Sequence, residues 1–210
     1  IIETELLLSD IEILEKRLLK TEKRFKSNHT ETKKEYELLK RLLDHCNNGL
    51  PAKTFSFFPT EKELIKSLNL LTLKPMLYIA NLEEESIIND TNNKIVSDLN
   101  EFVKKKKEEV IFLCGKIEEE ISSLEIDEKH IFLKEYNLIE PGLFKLINKT
   151  YKLLQLSNFY TCGPKEVRSW TIPKNSTAVK AAGTIHTDFQ RGFIKAEIYH
   201  SSDLIRLGSE

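Results

Sequence analysis

Lys74-Pro75-Met76-Leu77-Tyr78-Ile79-Ala80-Asn81-Leu82-Glu83-Glu84 decides the fold of this 210-residue chain. Five apolar residues, 76–80, stand between Pro75 and a polar cluster. A run of that length predicts a strand buried on both faces. The strand ends on Asn81, and Glu84 follows three residues later. In open α/β sheets, ligands bind outside the carboxyl ends of the strands. Asn81 and Glu84 are therefore the first candidate binding residues.

Downstream, Ile95, Leu99 and Phe102 predict one face of a helix, closed by Lys104-Lys105-Lys106-Lys107, where cations suit the C-terminal dipole. A second apolar strand, Val110-Ile111-Phe112-Leu113-Cys114, ends at Gly115-Lys116, and Ile117, Ile121 and Leu124 predict the next helix. Glu118-Glu119-Glu120 reads as its solvated start. Strand, helix, strand, helix is the pattern of a parallel sheet. Two strands do not make a stable doubly wound sheet, so further strands are expected upstream of Ile1. After Pro141-Gly142, the residues Leu143, Leu146, Ile147, Thr150, Leu153 and Leu154 keep helical spacing.

Upstream, Leu7, Ile11, Leu14, Leu18, Thr21 and Phe25 follow a 4-3-4-3-4 spacing that predicts a helix with a coiled-coil seam. Ser27-Asn28-His29-Thr30 breaks it, and a second seam follows at Tyr36, Leu39, Leu43 and Cys46. Gly49 and Pro51 end that helix. An antiparallel helical hairpin results, readable as a structural bundle or as a contact surface for a partner. Phe55, Phe57 and Phe58 are expected to pin its base to the next domain. Thr60 and Glu63 suggest a capping box opening a helix over 61–68.

Residues 157–210 change character. Asn158-Phe159-Tyr160-Thr161-Cys162 and Val167-Arg168-Ser169-Trp170-Thr171-Ile172 predict a hairpin turning at Gly163-Pro164-Lys165-Glu166. Ser176 or Thr177 caps a short helix over 178–182 stopped by Gly183, and 192–198 predicts a further strand. This is the pattern of a small β-grasp module.

A formal net charge of −1 excludes the whole chain as an electrostatic nucleic-acid binder. Residues 157–210 carry a balance of only +2, too mild to demand RNA. Aromatic Phe159, Tyr160 and Trp170 beside Lys165 and Arg168 would permit RNA contact, and core packing explains them equally well. Cys46, Cys114 and Cys162 form no Cys-x-x-Cys pair, which fits a reducing compartment without disulfide or zinc. No apolar run approaches the ~20 residues of a membrane span. The five His show no i, i+4 pair, and nothing brings Cys162 to His186 as nucleophile and base. No catalytic or metal-ligating residue is assigned. Gly115-Lys116 is followed by Ile117 and lacks the upstream glycine, so no phosphate-binding loop is present, and no Asp-x-x-Gly occurs. These parts carry most of phosphoryl transfer, and the chain by itself is expected to be inactive.

Asn81-Leu82-Glu83-Glu84 has the form Asn-x-x-(acid) with which nucleotide-binding G domains read a base, usually as Asn-Lys-x-Asp. The Asp form accepts from guanine's N1–H and exocyclic amine. Glu84 is one methylene longer, and Leu82 replaces the stacking Lys. A buried group left without its hydrogen-bond partner costs ~1–3 kcal/mol, enough to reverse a preference toward ATP.

The words around that motif, Leu68-Asn69-Leu70-Leu71-Thr72-Leu73-Lys74-Pro75-Met76-Leu77-Tyr78-Ile79-Ala80-Asn81, closely resemble the YchF family, the Obg-like ATPases. Glu3-Thr4-Glu5-Leu6, Ser9-Asp10, Glu15-Lys16-Arg17 and Asn48-Gly49-Leu50-Pro51-Ala52-Lys53 look like its inserted coiled coil. Cys114-Gly115-Lys116-Ile117-Glu118 is similar to its second base-side loop. Phe159 through Ile172, then Ala181-Ala182-Gly183-Thr184-Ile185-His186-Thr187-Asp188-Phe189-Gln190-Arg191-Gly192-Phe193-Ile194-Lys195-Ala196-Glu197, resemble its TGS domain.

The resemblance implies an α/β fold with α+β parts. It comprises a coiled-coil arm over 1–52, the C-terminal half of a P-loop G domain with connecting helices over 53–156, and an incomplete β-grasp TGS domain over 157–210. It implies a cytoplasmic, ribosome-associated ATP hydrolase able to use GTP with Mg2+, contacting the large subunit or its rRNA, with no membrane or DNA partner. Asn81, Leu82 and Glu84 would face the adenine, with Cys114, Gly115 and Lys116 on its other side. The family's phosphate loop lies before Ile1, so nucleotide and metal belong to a longer parent. The alternative is a non-catalytic ribosome-, RNA- or protein-binding module working through the arm and the TGS domain.

Overall fold

A computed structural model of the chain describes residues 1–25, 30–88, 94–163 and 165–208. It has two compact units, Ile1–Met76 and Leu77–Glu210. The fold is α/β with α+β parts: a helical hairpin, a parallel pair of strands among helices, and an antiparallel pair with short helices. The expected helix break at Ser27, Asn28 and His29, the side chain of Phe25, and Pro164 lie outside the described residues.

In the first unit, α1 (Ile2–Phe25) and α2 (Thr30–Asn47) pack as a hairpin. Leu14, Leu39, Leu42 and Cys46 are buried together with Ala52 and Leu70. The expected seam of α2 is kept at Leu39, Leu43 and Cys46, and Leu42 joins it. Leu38 and Leu42 are fully enclosed, while Leu43 is only partly buried at its edge. The helix presents a stripe three to four residues apart, and Leu39, Leu42 and Cys46 carry it into the core with Leu43 at the edge. Gly49 takes φ +79° and donates to the Cys46 carbonyl, as a helix-ending glycine should.

The hairpin's base is fixed by a buried carboxylate. Asp10 accepts from the Leu71 amide (2.6 Å), the Thr72 amide (2.8 Å) and the Thr72 hydroxyl (2.6 Å), and that hydroxyl accepts from the Ala52 amide (2.8 Å). Phe55 and Phe57 pack on the hairpin's own core, and the Arg41 guanidinium lies over the Phe55 and Phe58 rings. The expected capping box at Thr60 and Glu63 is replaced by Glu61, which accepts from the Phe58 amide and pairs with Arg41. Pro59 opens a 3-10 turn there, and the helix that follows, α3, is shortened to Lys62–Lys66.

In the second unit, β1 (Leu77–Asn81) and β2 (Glu109–Leu113) are parallel, with Asn81 opposite Leu113. Between them lie α4 (Glu84–Ile88) and α5 (Lys94–Lys105). The strand is not buried on both faces. Tyr78 packs against Phe102, whereas Ile79, on the other face, is 50 % exposed. Val96, Leu99 and Val103 lie on the inward side of α5, not Ile95, which is 71 % exposed. After β2 the chain forms α6 (Gly115–Ser123), α7 (Ile126–Glu135) and α8 (Gly142–Leu153). Cys114, Ile117, Ile121 and Leu133 form the core of α6 and α7, with Phe132, Tyr136 and Leu138 packed on it.

Glu118 is no solvated helix start. Its carboxylate accepts from the amides of Gly142 (2.6 Å) and Leu143 (3.0 Å) and caps α8. A Cβ on Gly142 would stand 2.8 Å from that carboxylate and 3.0 Å from the Leu113 Cβ, so a side chain there would have to displace both.

The antiparallel pair is β3 (Leu156–Cys162) and β4 (Val167–Pro173), with Phe159 opposite Trp170. Thr177 caps α9 (Ala178–Ile185), which runs through Gly183 instead of stopping there. A Cβ at Gly183 would meet Gln190 at 2.6 Å, so this glycine lets α10 (Thr187–Arg191) approach. Residues 192–198 form no strand: Ile194 and Ile198 are exposed, and no ladder pairs this stretch among the described residues. A β-prone segment needs a partner edge before its pattern becomes a strand. A last helix, α11 (Ser201–Leu207), ends the described chain.

Candidate functional site

Parallel pairing brings the carboxyl ends of β1 and β2 side by side, and the Leu82 amide extends the ladder by donating to the Leu113 carbonyl (2.8 Å). Two loops therefore leave the sheet together, one into α4 and one into α6. Asn81, Leu82, Glu83, Glu84, Glu85, Cys114, Gly115 and Lys116 line an open cavity of about 590 Å³ between them. All six residues singled out from the sequence lie on it.

Asn81 ties the loops together. Its Oδ1 accepts from the Gly115 amide at 2.9 Å. Because a backbone N–H requires an acceptor, this bond fixes which way the amide points and leaves Nδ2 as a donor at the cavity. A Cβ on Gly115 would sit 3.5 Å from Asn81 Oδ1, an ordinary contact. Cys114 caps α6 through its backbone, and its buried thiol belongs to the core below.

Glu84 opens α4, where a carboxylate suits the positive end of the helix. Its Oε2 accepts from Lys116 Nζ at 3.0 Å and its Oε1 from the Tyr136 hydroxyl at 2.9 Å. The Lys116 hydrogen bond first, then that of Tyr136 and the Lys116 charge, hold the Glu84 carboxyl below its ordinary range. The Glu84 bond raises Lys116 and Tyr136 in turn. No sequence pattern points to Tyr136, which lies 52 residues from Glu84 and follows α7. An isolated Tyr carries no periodicity.

The other candidates stay apart. His186 Nδ1 accepts from the Asp188 amide (3.2 Å) and caps α10, while Cys162 ends β3. Among the described residues, no group of three or more His, Cys, Asp or Glu is placed to hold a metal ion. None of the described helices is long and apolar enough to cross a membrane.

Compared with known proteins, residues 156–210 match the family model YchF-GTPase_C, described as a protein of unknown function (DUF933). The ribosome-binding ATPase YchF of Bacillus subtilis is 40% identical over 207 residues, which is 99% of this chain and 57% of that protein. The protein of the same name from Escherichia coli O157:H7 is 37% identical over 210 residues, again 57% of its length. The solved structure of the Schizosaccharomyces pombe YchF GTPase superposes on the whole chain with a TM-score of 0.84 at 32% identity, and 57% of that chain is covered. Over its whole length the chain is similar to YchF proteins. It spans a little over half the length of the YchF proteins it matches. The match at 156–210 begins where β3 begins, so the antiparallel module coincides with a sequence unit of YchF proteins. The names of the YchF relatives divide between ATPase and GTPase.

Proposed function

We propose that this chain supplies the base-reading side of the nucleotide site of a YchF-type, ribosome-associated ATP hydrolase, with GTP a secondary substrate. The convergence of Asn81, Leu82, Glu84, Cys114, Gly115 and Lys116 on one cavity at the carboxyl ends of two parallel strands carries this reading. The volume suits a nucleoside. Asn81 Nδ2 donates to a ring nitrogen, Leu82 lies against the base, and the Gly115 and Lys116 backbone flanks it. Adenine offers one exocyclic amine to the Glu84 carboxylate. Guanine needs two parallel acceptors, and the bonds from Lys116 and Tyr136 restrict how the two Glu84 oxygens can turn to meet it.

The residues present fit a base, not its phosphates or a magnesium ion. Those groups, and hydrolysis itself, are assigned to sequence outside 1–210. The proposed organisation remains a coiled-coil arm over 1–52, part of a G domain over 53–156 and a TGS domain over 157–210, in a cytoplasmic protein contacting the large ribosomal subunit.

Titrating the 210-residue chain with adenosine under amide-resolved NMR tests the base site. Millimolar adenosine is expected to move the Asn81, Leu82 and Gly115 resonances, with guanosine weaker. Shifts confined to other residues refute it. Calorimetry with Mg-ATP is expected to show nothing tighter than millimolar, since the phosphates find no cradle here.

A second reading, a nucleotide-independent binding module, is favoured by Arg168 stacked 4.3 Å over Trp170 on one face of the hairpin, with exposed Tyr160 on the other. Co-sedimentation of this chain with ribosomes separates the two. Binding without nucleotide supports the module, and no binding at low salt counts against it.

A further inference from the structure

We propose that Tyr136 is the specificity-determining residue of the base site, holding the Glu84 carboxylate so that it cannot present both oxygens to guanine. This rests on the base-site reading above.

Two groups hold Glu84, and they differ in how firmly they are themselves held. The Lys116 side chain is 69 % exposed, and its ammonium is a mobile point charge on a flexible stem. An exposed lysine pair of this kind contributes little to fixing a geometry. Tyr136 is anchored. Its ring stacks on Phe132 with centroids 4.6 Å apart, and it packs on the core of Cys114, Ile117, Ile121 and Leu133. The backbone around it is locked: the Tyr136 amide donates to the Phe132 carbonyl, the Leu138 amide donates to the Leu133 carbonyl at 2.8 Å, and Asn137 between them takes φ +52°. The hydroxyl therefore stands at a point set by the core, and Glu84 Oε1 is drawn to it.

The consequence is chemical. A free carboxylate can rotate to meet guanine's N1–H and N2–H with one oxygen each. With Oε1 fixed on a core-anchored hydroxyl, that rotation breaks a charge-assisted hydrogen bond. Adenine's edge carries one amine donor and an unprotonated N1, so a single remaining lone pair serves it. Tyr136 thus acts against the wrong base more than for the right one, which is how discrimination between similar ligands is commonly built.

The test is the ratio of guanosine to adenosine affinity, read by NMR titration of the intact 210-residue chain and of Tyr136→Phe. Phenylalanine keeps the stacked ring and removes only the hydroxyl. The ratio is expected to rise about tenfold, the worth of one hydrogen bond to a charged group. A purely structural tyrosine would weaken both nucleosides alike and leave the ratio unmoved. Lys116→Met serves as the second variant and is expected to move the ratio less. If the unmodified chain binds adenosine at residues 81–84 and 114–116 but Tyr136→Phe leaves the ratio unchanged, the role of Tyr136 is wrong while the base site stands. If neither nucleoside moves those resonances in the unmodified chain, both readings fall.

Discussion

Glu84 makes a claim that pH can test. Its carboxyl is held below the ordinary 4.5 by Lys116 and Tyr136, and Lys116 is held above the ordinary 10.5 by Glu84. The Glu84 contribution is complete above the unfolded carboxyl value and is lost as pH falls through the lower folded value. The Lys116 contribution is complete below 10.5 and is lost as pH rises through its higher folded value. The pair is therefore intact across the neutral range. Carbon-detected NMR is expected to place the Glu84 midpoint below 4.5, and Lys116→Met is expected to raise it. A midpoint insensitive to Lys116 would break the assignment. Of this cluster, Asn81, Glu84 and Lys116 were legible because each stands at the end of an apolar run. Tyr136 was not, because its role comes from the packing of α6 against α7, which no local pattern encodes.

At the scale of elements, two carboxylates set the positions of whole helices. Asp10 is fully buried, and removing it in Asp10→Ala strands two backbone amides and a hydroxyl. The expected loss is about 3 kcal/mol or more, read as a lower denaturant midpoint. Glu118→Ala, which uncaps α8, is expected to cost about 1–2 kcal/mol. Gly142→Ala drives a methyl into the same carboxylate and the Leu113 side chain, at a cost of about 1–3 kcal/mol. Equal stability of these variants and the parent would show that the contacts are incidental. Strands β1, β2, β3 and β4 were readable, since their apolar or alternating runs are bounded by turn residues. The face of α5 was read rightly at Leu99 and at Phe102, which packs on Tyr78, and wrongly at Ile95, because Val96 and Val103 keep the same helical spacing. Residues 192–198 were misread because strand pattern cannot reveal whether a partner edge exists.

The two compact units each contain a core built from their own residues. Residues 1–76 produced alone are expected to be helical and to melt cooperatively, with Asp10→Ala lowering that transition. A featureless melt by circular dichroism would refute independent folding. The second unit carries exposed Ile79, Leu143, Phe144, Ile194, Ile198 and Ile205. Its sedimentation is therefore expected to depend on concentration, and ideal monomeric behaviour at high concentration would count against an apolar association surface.

The enclosed thiol of Cys46 offers a clock. Burial first, and the nearby Asp10 charge second, push it up to about 11, while Cys162 is exposed. Only a thiolate alkylates quickly. A pulse of iodoacetamide at neutral pH should mark Cys162 at once and Cys46 only in molecules whose helical hairpin has opened. The chain thus carries a built-in stopwatch for the breathing of its arm, with its own internal reference.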